Sequence, residues 1–485
     1  MCKNRKLLIQ SAYLYLALPF AIFSLTWMRL YIGIPAFIIL CYGVYSSVSN
    51  SPELPTIKRD KKNTATFVYI VLISFFIVYL SGIGKFTFQN TDHYWRNAIQ
   101  DALCRNNWPV YSKNPAGKTT SLIYYIGFWL PSAIVGKLLG ESVGYVFMAL
   151  WAAIGVLITY LLICTKMKKF RLWPFFLFLF FSGMDVAIMY FRGVDIFSLS
   201  STANIEWATE YFQFSSFTTQ LFWVFNQAIP AWIATLLIIL QKNNKNIVFI
   251  LSLAIINCTL PFVGMLPIAA YYVFTRNYGK DISRKVWWKR WFKDTFTVIN
   301  VVCGGIIGIL SFLYMISNSQ AGASGGPIGF IWQHYGGYKV FFMNYLLFIV
   351  FELIIYLAII YPYQKGNKLY YVIGISLIII PLITVGEAAD FGMRASIPPL
   401  MILFFCVADT LEKSYKEKRY KIFIPLLICL IIGARTPFNE ITRSICNTSY
   451  GNISAGTFDI MNDDTQRNFI AQVDDSVFYK YIAKR

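Results

Sequence analysis

Charge is scarce in this chain. Of 485 residues only 14% are charged, where a soluble protein carries about a quarter. Charged residues are absent from whole stretches, including Ser11–Met28 and Ile247–Phe274, each near or above the ~20 residues that cross ~30 Å of hydrocarbon. These gaps exclude a soluble globular enzyme, a disordered chain and a fibrous repeat. Histidine is nearly missing, and neither His93 nor His334 has metal-ligand spacing with a second donor. There is no CxxC pair. The nine cysteines are scattered, most within apolar segments (Cys41, Cys164, Cys258, Cys303, Cys406, Cys429), where cysteine behaves as a small hydrophobe without metal or redox motifs. Cys104 and Cys446 are candidates for a disulfide on the outer face, on the general compartment rule. No internal repeat is visible, which weakens an inverted-repeat transporter. The start MCKNRK runs into an apolar stretch without a small-residue cleavage site, so it reads as a first span and not as a removed signal peptide.

What is present is apolar bulk, 57% hydrophobic and 18% aromatic, with a formal charge of +20. The positive residues sit in short loops between apolar blocks. That is the positive-inside pattern of a membrane protein and not the footprint of a nucleic-acid binder. Lys3, Arg5 and Lys6 place the N-terminus in the cytoplasm, and the loop Lys58-Arg59-Asp60-Lys61-Lys62 marks the next return. Spans are expected near 8–27, 30–47, 64–81, 143–164, 172–190, 219–240, 295–316, 339–362, 369–386, 396–411 and 421–434. The fold class is an all-α polytopic membrane protein with about eleven full transmembrane helices, a re-entrant helix pair and extracytoplasmic interfacial helices. A transmembrane domain covers 1–434, with a first long outer loop at 82–142, and a short extracytoplasmic tail follows at 435–485. This topology implies a multi-pass protein of the cell's inner (plasma) membrane with its C-terminus outside.

Two segments resist a simple crossing. If both 121–139 and 143–164 crossed, the cluster Lys166, Lys168, Lys169 and Arg171 would fall outside. Gly127, Pro131, Gly136 and Lys137 suit an interfacial helix over 121–139. Ile247–Phe274 is flanked by basic residues on both sides, and its 28 residues rise only ~42 Å as one helix. Pro261, Gly264 and Pro267 within it predict a re-entrant pair of short helices. The strip Lys285–Lys293, KVWWKRWFK, reads as a basic aromatic helix on the cytoplasmic surface.

Polar residues on the outer side are the candidates for chemistry. In the first loop, Trp95, Ala98, Ile99, Ala102 and Leu103 recur at helical spacing, with Thr91 as a candidate N-cap and Trp108-Pro109 as a stop. Asp92 then lies in the first turn, where the helix dipole favours its ionised form, and Arg96 supports it at i,i+4. The plain alternative is that Asp92 only starts the helix. The second loop holds Arg192, Asp195, Glu206 and Glu210. The third is glycine-rich around His334, as a flexible linker or an anion nest. The fourth, GEAADFGMRAS, carries Glu387, Asp390 and Arg394. Arg394 either snorkels to lipid headgroups or offers a planar donor fork to a phosphate. Inside the spans, Asp185 and Glu352 are the notable acids, and intramembrane acids are functional candidates.

The run Thr91-Asp92-His93-Tyr94-Trp95-Arg96-Asn97, the pair Trp108-Pro109, and the helix-plus-span over 121–164 together resemble the GT-C glycosyltransferases. These are integral-membrane enzymes that take sugars from polyprenyl-phosphate donors, and they include protein mannosyltransferase and aminoarabinose transferase types. The stretch AADFGMRASIPPL is also similar to one in uncharacterised bacterial membrane proteins of this kind. The likeness covers about the first third of the chain; the rest shares only architecture. An extra hairpin precedes the outer loop here, and His93 stands where the family often has a second acid.

The resemblance implies a transferase acting on a polyprenyl-phosphate-linked sugar and a glycan, lipid or protein acceptor. Asp92 is implied as general base, or as ligand of an activating divalent metal. Arg394 is implied as the phosphate contact, with Arg192 and His334 behind it. His93, Arg96, Asp195 and Asp390 complete the candidate substrate-binding set. Two other readings stay open: a transporter or flippase of lipid-linked saccharide built around Asp185 and Glu352, and an O-antigen-polymerase-like or acyltransferase-like enzyme built around His334.

Overall fold

Long apolar runs in this chain form helices because a helix satisfies every backbone N–H and C=O within one segment, the requirement that hydrocarbon imposes. The computed structural model describes residues 6–53, 60–114, 117–196, 203–277, 283–318, 328–333, 338–386, 389–448, 469–474 and 476–484. Helices α1 (Leu7–Trp27) and α2 (Leu30–Asn50) form an antiparallel hairpin, and α3 (Lys61–Leu80) starts on Asp60, whose carboxylate accepts from the Asn63 amide at 2.7 Å. Then follow α4 (His93–Arg105), strands β1 (Tyr111–Lys113) and β2 (Thr119–Leu122), α5 (Leu130–Leu139) and α6 (Glu141–Met167). The next span is broken into α7 (Trp173–Phe180) and α8 (Asp185–Phe191), and α9 is Phe217–Leu240. After these come α10 (Ile247–Ile255), α11 (Thr259–Phe274), α12 (Arg284–Thr295) and α13 (Gly305–Ile316). Strand β3 (Gly329–Phe330) precedes α14 (Tyr338–Ile349), which runs through a π turn, Val350–Ile354, into α15 (Ile355–Gln364). The rest comprises α16 (Lys368–Ile379), β4 (Ile383–Thr384), α17 (Asp390–Ala395), α18 (Ile397–Lys416), α19 (Tyr420–Gly433), α20 (Arg435–Asn447) and β5 (Ile470–Gln472).

Among the described residues nine helical segments are long and apolar enough to cross a membrane: Leu7–Trp27, Leu30–Asn50, Lys61–Leu80, Glu141–Met167, Trp173–Phe191, Phe217–Leu240, Ile299–Ile316, Tyr338–Gln364 and Tyr420–Asn447. The protein is therefore an all-α, multi-pass membrane protein whose apolar helices contact the bilayer. Nine of the expected spans coincide with these. The other two, 369–386 and 396–411, correspond to the shorter Lys368–Leu382 and to α18, whose last turns carry Asp409, Glu412, Lys413 and Lys416.

The expected break in 247–274 is observed: α10 and α11 separate at residues 256–258, where the Asn257 amide donates to the Leu253 and Leu16 carbonyls at 2.8 and 3.1 Å. The expected helix over 121–139 is corrected. Only Leu130–Leu139 is α-helical, because 119–122 is a strand and Gly127 packs against the Ile256 carbonyl and the Asn257 side chain, where a larger residue would collide. The expected 30–47 span extends to Asn50.

The tail is not an independent appendage. β5 pairs antiparallel with β2, which pairs with β1, and Met28 bridges Ala483. Arg29 in the α1–α2 turn donates to the Ala483 and Lys480 carbonyls at 3.1 and 2.9 Å. This gathers the α1–α2 turn, the first loop and the chain's last residues at one end of the bundle, hereafter the loop end. At the opposite end, Arg276 binds Asn244 and the Gln241 carbonyl, and Lys169 pairs with Glu412. The Cys104–Cys446 disulfide does not form. Both are free thiols, Cys104 buried between Gln100 and the Ala133 carbonyl and Cys446 exposed.

Gly264 on α11 lies against the carbonyl of Ala395, where α17 passes into α18. A methyl group there would overlap that backbone oxygen. Gly264→Ala is expected to destabilise the fold by about 1–3 kcal/mol through overpacking, read as a lower melting temperature of the protein in nanodiscs.

Candidate functional site

At the loop end two acid–arginine pairs of identical spacing come together. Asp92 and Arg96 stand at the start of α4, and Asp390 and Arg394 on α17. In each pair the arginine is buried and the acid is open: side-chain exposures are 4% for Arg96 and 39% for Asp92, 5% for Arg394 and 45% for Asp390. Arg96 Nη2 donates to Asp92 Oδ2 at 3.0 Å, and Arg394 pairs with the Asp390 carboxylate while its Nη1 also reaches the Asp390 carbonyl at 3.2 Å.

Tyr124 and Tyr125 lie between the pairs, their ring centroids 3.6 Å apart. Arg96 Nη1 donates to the Tyr124 hydroxyl at 3.1 Å, and both tyrosines interact electrostatically with both arginines. Tyr124 is fixed from behind, its amide donating to the Tyr314 hydroxyl at 3.3 Å and its ring lying against Phe469 from the tail.

Local helix chemistry explains this placement. Asp92 occupies the N-cap position of α4, but its side chain makes no capping bond, so the carboxylate is given to Arg96 and to solvent. The expected N-cap, Thr91, is corrected by one residue: the helix begins at His93, so Asp92 and not Thr91 holds the cap position. α9 kinks at Val224 (φ −132°, ψ 33°). Just before the kink, the Phe222 carbonyl accepts from the Asn90 amide at 2.9 Å and the Trp223 carbonyl from Arg96 at 3.4 Å. The Trp223 indole in turn donates to Glu440 at 2.8 Å, and Glu440 pairs with Arg443. α4 is also more deeply buried than a one-sided amphipathic pattern requires, since Arg96, Asn97 and Gln100 are inside.

Burial opposes charge on both arginines. On Arg394 it is more than offset by Asp390 and then Tyr125, and on Arg96 by Tyr124 and then Asp92, so each pKa stays above the ordinary arginine value. The two guanidinium groups nevertheless repel each other, and the Nε of each is buried without a hydrogen-bond partner among the described residues. Burial, with Tyr124 beside it, holds the Tyr125 phenol well above its usual value, so it remains a hydroxyl and a donor. The cluster therefore presents donors facing one another beside two half-open carboxylates, an arrangement that suits an anion.

A divalent metal fits these groups poorly. Asp92 and Asp390 are each committed to an arginine, and among the described residues no group of three or more His, Cys, Asp or Glu is arranged around a metal.

The remaining sequence candidates lie elsewhere. His93 is fully buried, stacked on Phe225, with its Nδ1 3.2 Å from the Gln89 amide and its Nε2 3.2 Å from the Ser81 carbonyl, so no ring nitrogen is left for a ligand. Arg192 ties the Ala208 carbonyl to Asn344, and Asp195 is exposed in the same connecting segment; neither joins the cluster. His334 and Glu387 lie outside the described residues. The sequence reading missed Tyr124 and Tyr125. The signal available was a polar pair in an otherwise apolar run, together with the repeated Asp-x-x-x-Arg spacing of 92/96 and 390/394.

Compared with protein-family models, curated proteins and solved structures, the chain finds no match.

Burial, then the charge of Arg96, lowers the His93 pKa from 6.5 to about 3. A depressed folded pKa means that His93 supports the fold above the unfolded pKa near 6.5, and that this support drains away as pH falls toward about 3. The melting temperature is expected to fall over that window. In His93→Gln, which keeps polar groups without a titrating ring, the fall should be shallower in the same thermal series.

Proposed function

We propose that the protein is a GT-C-like membrane glycosyltransferase that moves a sugar from a polyprenyl-phosphate donor to an envelope glycan, lipid or protein acceptor at the extracytoplasmic face. The single observation that carries this reading is the convergence of Asp92–Arg96 and Asp390–Arg394 on Tyr124 and Tyr125. A lipid-linked phosphate needs planar donor forks held in a site of low dielectric, and an acceptor hydroxyl needs a carboxylate within hydrogen-bond reach. The cluster offers both, at the end of a membrane bundle.

In this mechanism Arg394 and Arg96 hold the donor phosphate, with the Tyr125 hydroxyl as a further donor. Asp92, open to solvent on one side, accepts the proton of the acceptor hydroxyl as that oxygen bonds the anomeric carbon. The carbon–phosphate oxygen bond breaks, and its electron pair leaves with the polyprenyl phosphate, whose growing charge the arginines stabilise. The residue order supports a topology of about eleven crossings, with Lys368–Leu382 and α18 added to the nine long spans. α10 and α11 form the re-entrant pair. The positive-inside rule then puts the basic end in the cytoplasm of a plasma membrane and the loop end outside. A flippase of lipid-linked saccharide is the second reading, favoured by the acids Asp185 and Glu352 in the bundle interior.

The test is mass spectrometry of lipid-linked sugars in cells lacking the protein, complemented with wild type or variants. A polyprenyl-phosphate sugar is expected to accumulate in the null and in Asp92→Asn, and to be cleared by wild type. Turnover in Asp92→Asn should fall by about a hundred- to ten-thousandfold. Arg394→Lys keeps the charge but loses the fork and should raise KM for the donor. A normally expressed Asp92→Asn that behaves as wild type would refute the assignment.

A further inference from the structure

At the end of the bundle opposite the loop end, six helices line a cavity of about 350 Å³, a volume in the range of small-ligand sites. Its walls come from the last turn of α6, from α9, α11, α15 and α18, and from the start of α16. The lining is mixed. Ile239, Ile402 and Phe405 supply apolar surface, while two lysines, two acids and two tyrosines supply most of the polar part.

The charges in this lining do not cancel. Glu412 is shared between Lys169 and Lys416, and Asp409 takes Lys413 at 2.8 Å and the Gln364 amide at 3.3 Å. Both acids are therefore already matched. Lys166 is exposed and forms no hydrogen bond or ion pair among the described residues. The charged side chains that act on it, Arg276 and Lys168, both repel it. Arg276 is itself held by Asn244 at 2.9 Å and the Gln241 carbonyl at 2.7 Å, with its guanidinium over the Tyr272 ring at 5.0 Å. Tyr271 and Tyr272 line the cavity, and neither hydroxyl has a hydrogen-bond partner among the described residues. An unmatched ammonium and two free hydroxyls make a donor set for an anion.

The cavity lies where apolar helices pass into charged ends. α6 stops at Met167, and the last turns of α18 carry Asp409, Glu412, Lys413 and Lys416. That is the level of lipid headgroups, where basic pockets between membrane helices take anionic lipid. A small polar anion would leave the surface of Ile239, Ile402 and Phe405 wet, whereas an anion with an apolar body uses both parts of the lining. We propose that this cavity binds the headgroup of an anionic phospholipid, with its phosphate on the Lys166 ammonium and the Tyr271 and Tyr272 hydroxyls, and its glycerol and first methylenes against Ile402 and Phe405. The site lies at the other end of the bundle from the arginine cluster and does not depend on the transferase reading.

The test places the full-length protein in nanodiscs made from equal amounts of phosphatidylglycerol and phosphatidylcholine, then releases it into detergent and reads the retained lipids by native mass spectrometry. Phosphatidylglycerol is expected to be retained over phosphatidylcholine. Lys166→Gln should lower that retention about fivefold, the worth of one lysine beside an anionic headgroup. Tyr272→Phe keeps the ring beneath Arg276 and should lower it less; should Lys166→Gln fail to fold, this variant decides alone. Lys289→Gln, on the basic helix α12 and outside the cavity, should change it less than Lys166→Gln. Equal retention of the two lipids, or unchanged retention in Lys166→Gln, would overturn the proposal. An equal fall in Lys289→Gln would overturn it as well, reducing the effect to general surface charge. A second arm follows the melting temperature of the protein in detergent against glycerol 3-phosphate. Stabilisation there that depends on Lys166, without any preference between the lipids, would assign the cavity to a soluble phosphate and contradict the lipid site.

Discussion

Two guanidinium groups buried within electrostatic reach of each other set the terms for the loop end of this protein. Each is charged, and removing a charge from water costs several kcal/mol unless it is paired and hydrogen-bonded. The protein gives each arginine its own aspartate four residues earlier and places a tyrosine pair between them. Much of the surrounding architecture serves that placement. The α9 kink directs the Trp223 carbonyl to Arg96, and Tyr314 on α13 and Phe469 from the tail fix Tyr124. The contact of Gly264 with Ala395 sets where α17 begins α18. The mutual repulsion that remains is what an anionic ligand would relieve.

The membrane class and most helices were legible in the sequence because charge-free runs and basic loops report directly on the cost of burying charge in hydrocarbon. The break at 256–258 was legible from length, since 28 residues are too few for two crossings. The strand at 119–122 was not. One of its two partners is Ile470–Gln472, more than three hundred residues away, and a four-residue strand leaves no periodicity to read. The Cys104–Cys446 pairing failed for a similar reason, because local spacing says nothing about which face of α4 is packed under α5.

Site residues divide along the same line. Asp92, Arg96, Asp390 and Arg394 stood out as charges beside apolar spans, and the fold brings them together. His93 stood out equally and turned out to be enclosed by Gln89, Ser81 and Phe225, its ring neutral and fully engaged. Rarity in the sequence marked both kinds of residue. Only the packing separates a side chain open toward solvent from one that holds a loop in place. Tyr124 and Tyr125 were hidden because tyrosine is common in this chain, with 32 copies, and their value lies in what faces them.

The two polar centres of the bundle differ in access. The loop-end cluster has donors that face one another and acids open to solvent, so it suits an anion arriving from outside the protein. The centre around Glu352 is enclosed, with Asp185, Glu206 and Glu352 each 2% exposed and Asp185 hydrogen-bonded to Glu352. The most direct test of the account is a cryo-EM structure of the full-length protein in nanodiscs with a polyprenyl phosphate bound. The account predicts phosphate density between the Arg96 and Arg394 guanidinium groups, beside Tyr125 and within reach of Asp92. A phosphate bound elsewhere, with both arginine pairs unchanged, would contradict it.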